Sequence, residues 1–165
     1  MRVLGIDPGT ATVGYGVVEQ SGGPGRALRL VECGIFRTRP RDPLPTRLVV
    51  IHDSLTELIG RHRPDVLAVE DIFYATNVRT TVVLGHARGV ILLAGAEAGL
   101  TIAEYSPALV KKTVVGRGAA LKPQVGYMVA KILQLTAAPT PADAADAVAV
   151  ALTHLFLGIR PGKQR

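Results

Sequence analysis

Four carboxylates interrupt apolar stretches at three places far apart in this chain. Asp7 closes Leu4-Gly5-Ile6, Glu70 closes Val66-Leu67-Ala68-Val69, and Asp143 and Asp146 sit inside the Ala- and Val-rich run from Ala142 to Ala151. Desolvating a charged carboxylate at the end of a buried strand is costly unless positive charge compensates it. A fold that gathers the four together meets that cost with one or two bound divalent cations. Asp143 and Asp146, three apart on a helix, share one face. Asp7 and Glu70 meet only if their two strands are neighbours.

The segments around these carboxylates read as a mixed α/β chain. Arg2–Asp7, Val13–Glu19 and Leu28–Thr38 read as three strands of an antiparallel meander, the second and third joined by the loop Ser21-Gly22-Gly23-Pro24-Gly25. Pro40 to Pro45 breaks the pattern. Leu48, Ile51, Leu55, Leu58 and Ile59 then recur at the helical period, and Pro64 ends that helix. Asp65–Glu70 is apolar throughout, as a central strand is. A long helix over Asn77–Ala98, a short strand over Leu100–Tyr105, and helices after Ser106-Pro107, over Pro123–Leu135 and from Thr140 or Pro141 to Leu157 complete the order. The fold class this order predicts is α/β and ribonuclease-H-like: a five-stranded mixed sheet flanked by helices. One domain over residues 1–158 is expected, followed by a loose basic tail over 159–165.

Charge narrows the partner. With 19 Lys and Arg against 13 Asp and Glu, and 14 of the 19 being Arg, the chain carries a formal +6. That balance favours a polyanionic partner, since Arg suits bidentate phosphate contacts. From Tyr105 to Ala142 there is no acid, while Lys111, Lys112, Arg117, Lys122 and Lys131 fall there. Gly116 and Gly118 flank Arg117 and let backbone approach a phosphate closely. The stretch reads either as a phosphate-binding surface or as a solvated helix face. Phe73 and Tyr74, two of only seven aromatics, follow Glu70 in a polar connector. Phe73 is a candidate for stacking on a base; Tyr74 reads better as folded into the core.

Other features exclude alternatives. Hard ions such as Mg2+ or Mn2+ take carboxylate oxygens, and a soft-metal site is disfavoured by one cysteine and no His pair at ligand spacing. Cys33, the single cysteine, forms no internal disulfide and reads as a small hydrophobe in a strand. The longest apolar run, Gly89–Ala96, is far short of the roughly 18 residues of a membrane span. A cytoplasmic protein that does not enter a membrane is expected. Gly85, Ala87, Gly89 and Ala94 give the long helix a small-residue face, for internal packing or a homodimer seam; Arg79 and Arg88 on it suit DNA or a partner chain. His154 reads as an ordinary helical histidine.

Taken together, the stretches Gly5-Ile6-Asp7-Pro8-Gly9-Thr10 with Gly14-Tyr15-Gly16, Glu70 to Asn77, Gly85 to Val90, Val110 to Gly116 and Ala142 to Ala147 resemble the RuvC family of crossover junction endodeoxyribonucleases, from Met1 to about Gly158. The resemblance implies a homodimer that resolves Holliday junctions, with two Mg2+ ions per site, for which Mn2+ would substitute. It implies Asp7, Glu70, Asp143 and Asp146 as metal ligands. It gives Phe73 the junction bases and Lys111 and Lys122 the DNA near the scissile phosphate, and names RuvA and RuvB as partners in branch migration. Lys122 is the expected electrostatic catalyst; Lys112 and Arg117 are expected DNA contacts. Paired symmetric nicks in a four-way junction during recombination and repair, leaving 5′-phosphate and 3′-hydroxyl ends, are expected. The rivals are an RNA-processing nuclease of the same superfold, an actin-like nucleotide-binding module around Asp7 to Thr10, and a junction binder without chemistry.

Overall fold

The computed structural model describes residues 1–22, 27–72 and 78–158. Its elements run β1 (Arg2–Asp7), β2 (Thr12–Gln20), β3 (Leu28–Arg37), α1 (Leu44–His62), β4 (Val66–Glu70), α2 (Val78–Glu97), β5 (Thr101–Tyr105), α3 (Pro107–Val115), α4 (Lys122–Ile132) and α5 (Ala142–Leu157). The strands form one sheet in the order β3-β2-β1-β4-β5. β1, β2 and β3 are antiparallel, whereas β4 lies parallel to β1 and β5 parallel to β4. This is the ribonuclease-H-like arrangement that the element order predicts.

Alternation along β1 and β4 separates two cores. Leu4, Ile6, Leu67 and Val69 point to one side, where Ile51, Leu55 and Leu58 of α1 and Ala87 and Ile91 of α2 cover them. Val3, Val66 and Ala68 point to the other, against α3, α4 and α5. Each fully buried Val or Leu contributes about 1.5–3 kcal/mol, so β1, apolar on both faces, anchors both layers.

α5 lies unusually close to the sheet, and glycine is the reason. A Cβ on Gly5 would stand 2.2 Å from the Ala147 carbonyl oxygen, and one on Gly14 would stand 2.1 Å from the Asp143 carbonyl oxygen. One on Gly16 would meet Val148 Cγ2 at 2.5 Å. The Ala-rich inner face of α5 and this bare strip of β1 and β2 fit backbone against backbone. Asp143, at the start of α5, is thereby pinned over Gly14, whose β1 partner is Asp7.

Several boundaries differ from the sequence reading. α1 starts at Leu44, so Pro45 lies in its first turn instead of in a break; a proline is tolerated there because that N–H has no helical partner. The helix ends at Arg63 in the left-handed region (φ 45°), directly before Pro64. α4 stops at Ile132, short of Leu135. Ser106 caps α3 as expected, its Oγ accepting from Leu109 N at 3.3 Å, and Gly116 closes it at φ 85°. The expected small-residue face of α2 divides in two: Ala87 and Ala94 are buried, whereas Gly85 and Gly89 lie on a more open side. The loop at 23–26, the connector with Phe73 and Tyr74, and the tail over 159–165 lie outside the described residues.

Candidate metal and phosphate site

Strand register brings the first two carboxylates together. Ile6 pairs with Val69 in parallel, so the next residues, Asp7 and Glu70, end their strands side by side on the α5 face. The two carboxyl groups are close enough for each to raise the cost of ionising the other. α5 supplies the other two. One carboxylate oxygen from each of Asp7, Asp143 and Asp146 lies within 4.8 Å of the others. Asp143 is also in the first turn of α5, where the helix dipole favours a negative charge.

The site is electrostatically loaded. Burial, followed by repulsion from Glu70 and Asp146, pushes the Asp7 carboxyl up to about 8. Burial raises the Glu70 carboxyl as well. The compensating cation is Lys122, at the start of α4. Its Nζ lies 2.9 Å from Asp146 Oδ2 and 3.3 Å from Asp143 Oδ1. The hydrogen bond to Asp146 holds its ammonium well above the ordinary lysine range. A cavity of about 120 Å3 opens over Asp7, Glu70 and Asp146, with Lys111 and Lys122 on its rim and Pro107, Val110 and Val125 as its apolar lining.

The donor set fits a hard divalent cation. Asp7, Asp143 and Asp146 bring carboxylate oxygens within reach of one ion, Glu70 lies outside that group of three but lines the same cavity, and Lys122 and Lys111 offset only part of the charge. Such ions accept oxygen ligands at 2.0–2.6 Å, so oxygens 4.8 Å apart or less need little adjustment to share one.

Of the remaining candidates, Lys112 is exposed outside the cavity lining, and Arg117 is exposed on the α3–α4 connection. Lys131 lies 5.5 Å from the Tyr127 ring centroid, on the far part of α4. Phe73 lies outside the described residues. Arg88, read from sequence as available to DNA or a partner, turns inward: it pairs with Asp71 at 3.2 Å and with Glu104. It ties α2 to the residue after Glu70. His154 is a satisfied core histidine, its Nδ1 2.7 Å from the Tyr105 hydroxyl.

Two supports were not recognised from sequence. Thr38 Oγ1 donates to the Thr10 carbonyl at 2.6 Å, and Arg47 Nε donates to Thr38 Oγ1 at 3.1 Å. Together they brace the turn that follows Asp7. Nothing in the local sequence marks that contact. The seating of α5 did leave a signal, the glycines spaced two apart at 14 and 16, which mark close backbone approach in a strand.

Fold and site together define a ribonuclease-H-like protein with an acidic cluster, from the end of β1 and the start of α5, that could hold a metal ion beside a lysine-rimmed cavity. Residues 3–154 match the family described as crossover junction endodeoxyribonuclease RuvC. A relative of that name from Pelotomaculum thermopropionicum is 50% identical over 154 residues, covering 93% of this chain and 92% of the relative. The Thermus thermophilus RuvC structure superposes with a TM-score of 0.86 at 39% identity, covering 96% of this chain and 95% of that one. A structure of T. thermophilus RuvC in complex with Holliday junction substrate matches with the same TM-score at 37% identity and the same coverage. The chain belongs to the RuvC family of crossover junction endodeoxyribonucleases.

Proposed function

We propose that this protein is a Holliday junction resolvase, a metal-dependent endonuclease that makes paired symmetric nicks in four-way DNA junctions in recombination and repair. The observation that carries the reading is the convergence of Asp7, Asp143 and Asp146, with Glu70 ending the neighbouring strand beside Asp7, in a chain of this family. The T. thermophilus relative seen with Holliday junction substrate supports the choice of substrate.

Asp7, Glu70, Asp143 and Asp146 would hold Mg2+, two ions in the fullest form, with Mn2+ able to replace it. When bound, such a pair supplies positive charge to the attacking and leaving oxygens of an in-line displacement at phosphorus. The protein's own groups do the rest. Lys122, paired here with Asp143 and Asp146, would place its ammonium beside the scissile phosphate when those carboxylates hold metal. Lys111 lies on the same cavity rim. Pro107, Val110 and Val125 limit water around the reacting phosphate and so strengthen each charge interaction. Water attack at phosphorus then leaves 5′-phosphate and 3′-hydroxyl ends.

The same reading gives Phe73, three residues past Glu70, to the junction bases, and Lys112 and Arg117 to flanking DNA. It makes the protein a homodimer, because two equivalent sites match the near-twofold symmetry of a junction. The open side of α2 supports this: exposed Val82 and Leu93 with Gly85 and Gly89 line a shallow apolar groove against Leu48 of α1. RuvA and RuvB are the branch-migration partners this family reading brings. All described elements pack on one sheet, which supports treating residues 1–158 as a single nuclease unit with 159–165 as an appended tail. No described helix is long and apolar enough to cross a membrane, and a cytoplasmic enzyme is the reading adopted.

The test is cleavage of a synthetic mobile four-way DNA junction with and without Mg2+, comparing wild type with Glu70→Gln, and with structured RNA as the competing substrate. Metal-dependent paired nicks in the junction, lost in Glu70→Gln, are expected. Cleavage of the RNA alone would reverse the assignment.

A further inference from the structure

The stretch from the end of β3 into the first turns of α1 is rich in arginine. Between Glu32 and Asp53 it carries Arg37, Arg39, Arg41 and Arg47 against a single acid, Asp42. Arg2, Arg29, Arg61 and Arg88 each pair with a carboxylate. Arg37, Arg39 and Arg41 are exposed and have no carboxylate partner among the described residues. Unpaired arginines grouped this way raise the local positive potential, and guanidinium suits phosphate oxygens.

Register places this group beside the carboxylates. Asp7 pairs with Gly14 and Gly14 with Ile35; two residues on, Arg37 pairs with Thr12. Successive strand side chains alternate faces, so Arg37 shares the α5 face with Asp7. It is two strand spacings across and two residues along, about 12 Å at roughly 4.8 Å per strand and 3.4 Å per residue. Phosphates on one DNA strand recur at a rise of about 3.4 Å, so that offset spans about three to four nucleotides. Lys111 and Lys122 line the cavity over Asp7 and Glu70, at the ends of β1 and β4, whereas Arg37 stands on the edge strand β3.

The connector is also fixed to the turn that bears Asp7. Thr38 N donates to the Ala11 carbonyl at 3.0 Å, and Thr38 Oγ1 and Arg47 both donate to the Thr10 carbonyl. Asp42 N donates to the Arg39 carbonyl at 2.9 Å and so closes a turn between Arg39 and Arg41. A phosphate held here is therefore held in a set position relative to Asp7.

We infer that Arg37, Arg39 and Arg41 form a second phosphate-binding strip that grips the backbone of a duplex arm about three to four nucleotides from the cut, at the β3 edge of the sheet. This rests on the nuclease reading and extends the same site.

The experiment compares wild type with the triple variant Arg37→Gln/Arg39→Gln/Arg41→Gln. A second pair of measurements uses the triple Arg→Lys variant and Arg29→Gln/Arg63→Gln, which removes charge from the opposite end of the sheet. Junction affinity is measured across a salt series in an Asp7→Asn background, and single-turnover cleavage is measured at saturating protein with Asp7 intact. Each lost phosphate contact lowers the salt slope by about 0.9. The Gln triple is expected to weaken binding about tenfold or more and to flatten the slope by about 2 to 3. Its saturated cleavage rate should stay within about twofold, and the Lys triple should keep most of the slope. An unchanged slope in the Gln triple, or an equal loss in Arg29→Gln/Arg63→Gln, overturns the strip while leaving a cleaving wild type intact. A wild type that binds the junction but never cuts it overturns the nuclease reading, and the slope still reports on the strip.

Discussion

Both ends of β1 are charged, and they solve the problem of charge in opposite ways. At the start of the strand, Arg2 pairs with Glu19 at 3.0 Å, and Glu19 pairs with Arg29 at 2.7 Å. Arg2 also donates to the His62 carbonyl at 2.6 Å, and its backbone N–H to Asp65 at 2.7 Å. Those arginines hold the Glu19 carboxyl below its usual range. At the other end of the six-residue strand four carboxylates meet Lys122 and Lys111, and Asp7 is pushed up to about 8. The first end is arranged to hold the sheet together. The second is left short of positive charge, and sites of that kind are where proteins place their chemistry. The contrast teaches that charge alone does not mark a site; uncompensated charge does.

The sharpest way to break the contrast is to neutralise one residue at each end. Asp7→Asn should lower junction cleavage on the order of a thousandfold or more while leaving junction binding nearly unchanged, as measured by single-turnover cleavage beside gel-shift binding. A parallel loss of binding would place Asp7 in the fold and not in the chemistry.

Next in size is the seating of α5. Gly14→Ala drives a Cβ into the Asp143 backbone and should cost about 3 kcal/mol, or roughly 10 °C in Tm. Cleavage should fall with it as Asp143 and Asp146 move. Gly22→Ala, where nothing lies within 4 Å, should shift neither Tm nor activity. Thermal melts of the two variants decide the point.

The charge-starved end should also show in pH dependence. Asp7 binds its proton more tightly folded (about 8) than unfolded (3.8), so metal-free stability is greatest below pH 3.8 for this group. It is lost as pH rises through about 8. Asp7→Asn should therefore melt higher than wild type at pH 8 without metal, by roughly 5 °C for about 2 kcal/mol, and saturating Mg2+ should narrow that gap. An identical pH profile in both proteins would show that Asp7 is not strained.

The smallest effect belongs to the balanced end. Glu19→Gln breaks two partly exposed ion pairs and should shift Tm little, with cleavage rate unchanged.

How much of this was legible in the sequence depends on the range of the contact. The carboxylates, the order of strands and helices along the chain and the cap at Ser106 were readable because local pattern sets them. The meeting of Asp7 and Glu70 followed once β1 and β4 were neighbours. Lys122 was legible as a charge, but not as the bridge between Asp143 and Asp146, 21 and 24 residues away. Arg88 could not be assigned, because its inward turn is decided by Asp71 and Glu104 on other elements. The start of α1 was misread because Pro45 looks like a break until its place in the first turn is known.

The central claim is that Asp7, Asp143 and Asp146, with Glu70, hold divalent cations in place of Lys122. Anomalous scattering from crystals grown with saturating Mn2+ tests it most directly. The account predicts a Mn2+ peak at direct ligand distance from Asp7 and at least one of Asp143 and Asp146, with Lys122 Nζ displaced from both. A metal that supports cleavage but gives no peak there, with Lys122 still bridging the two aspartates, would contradict it.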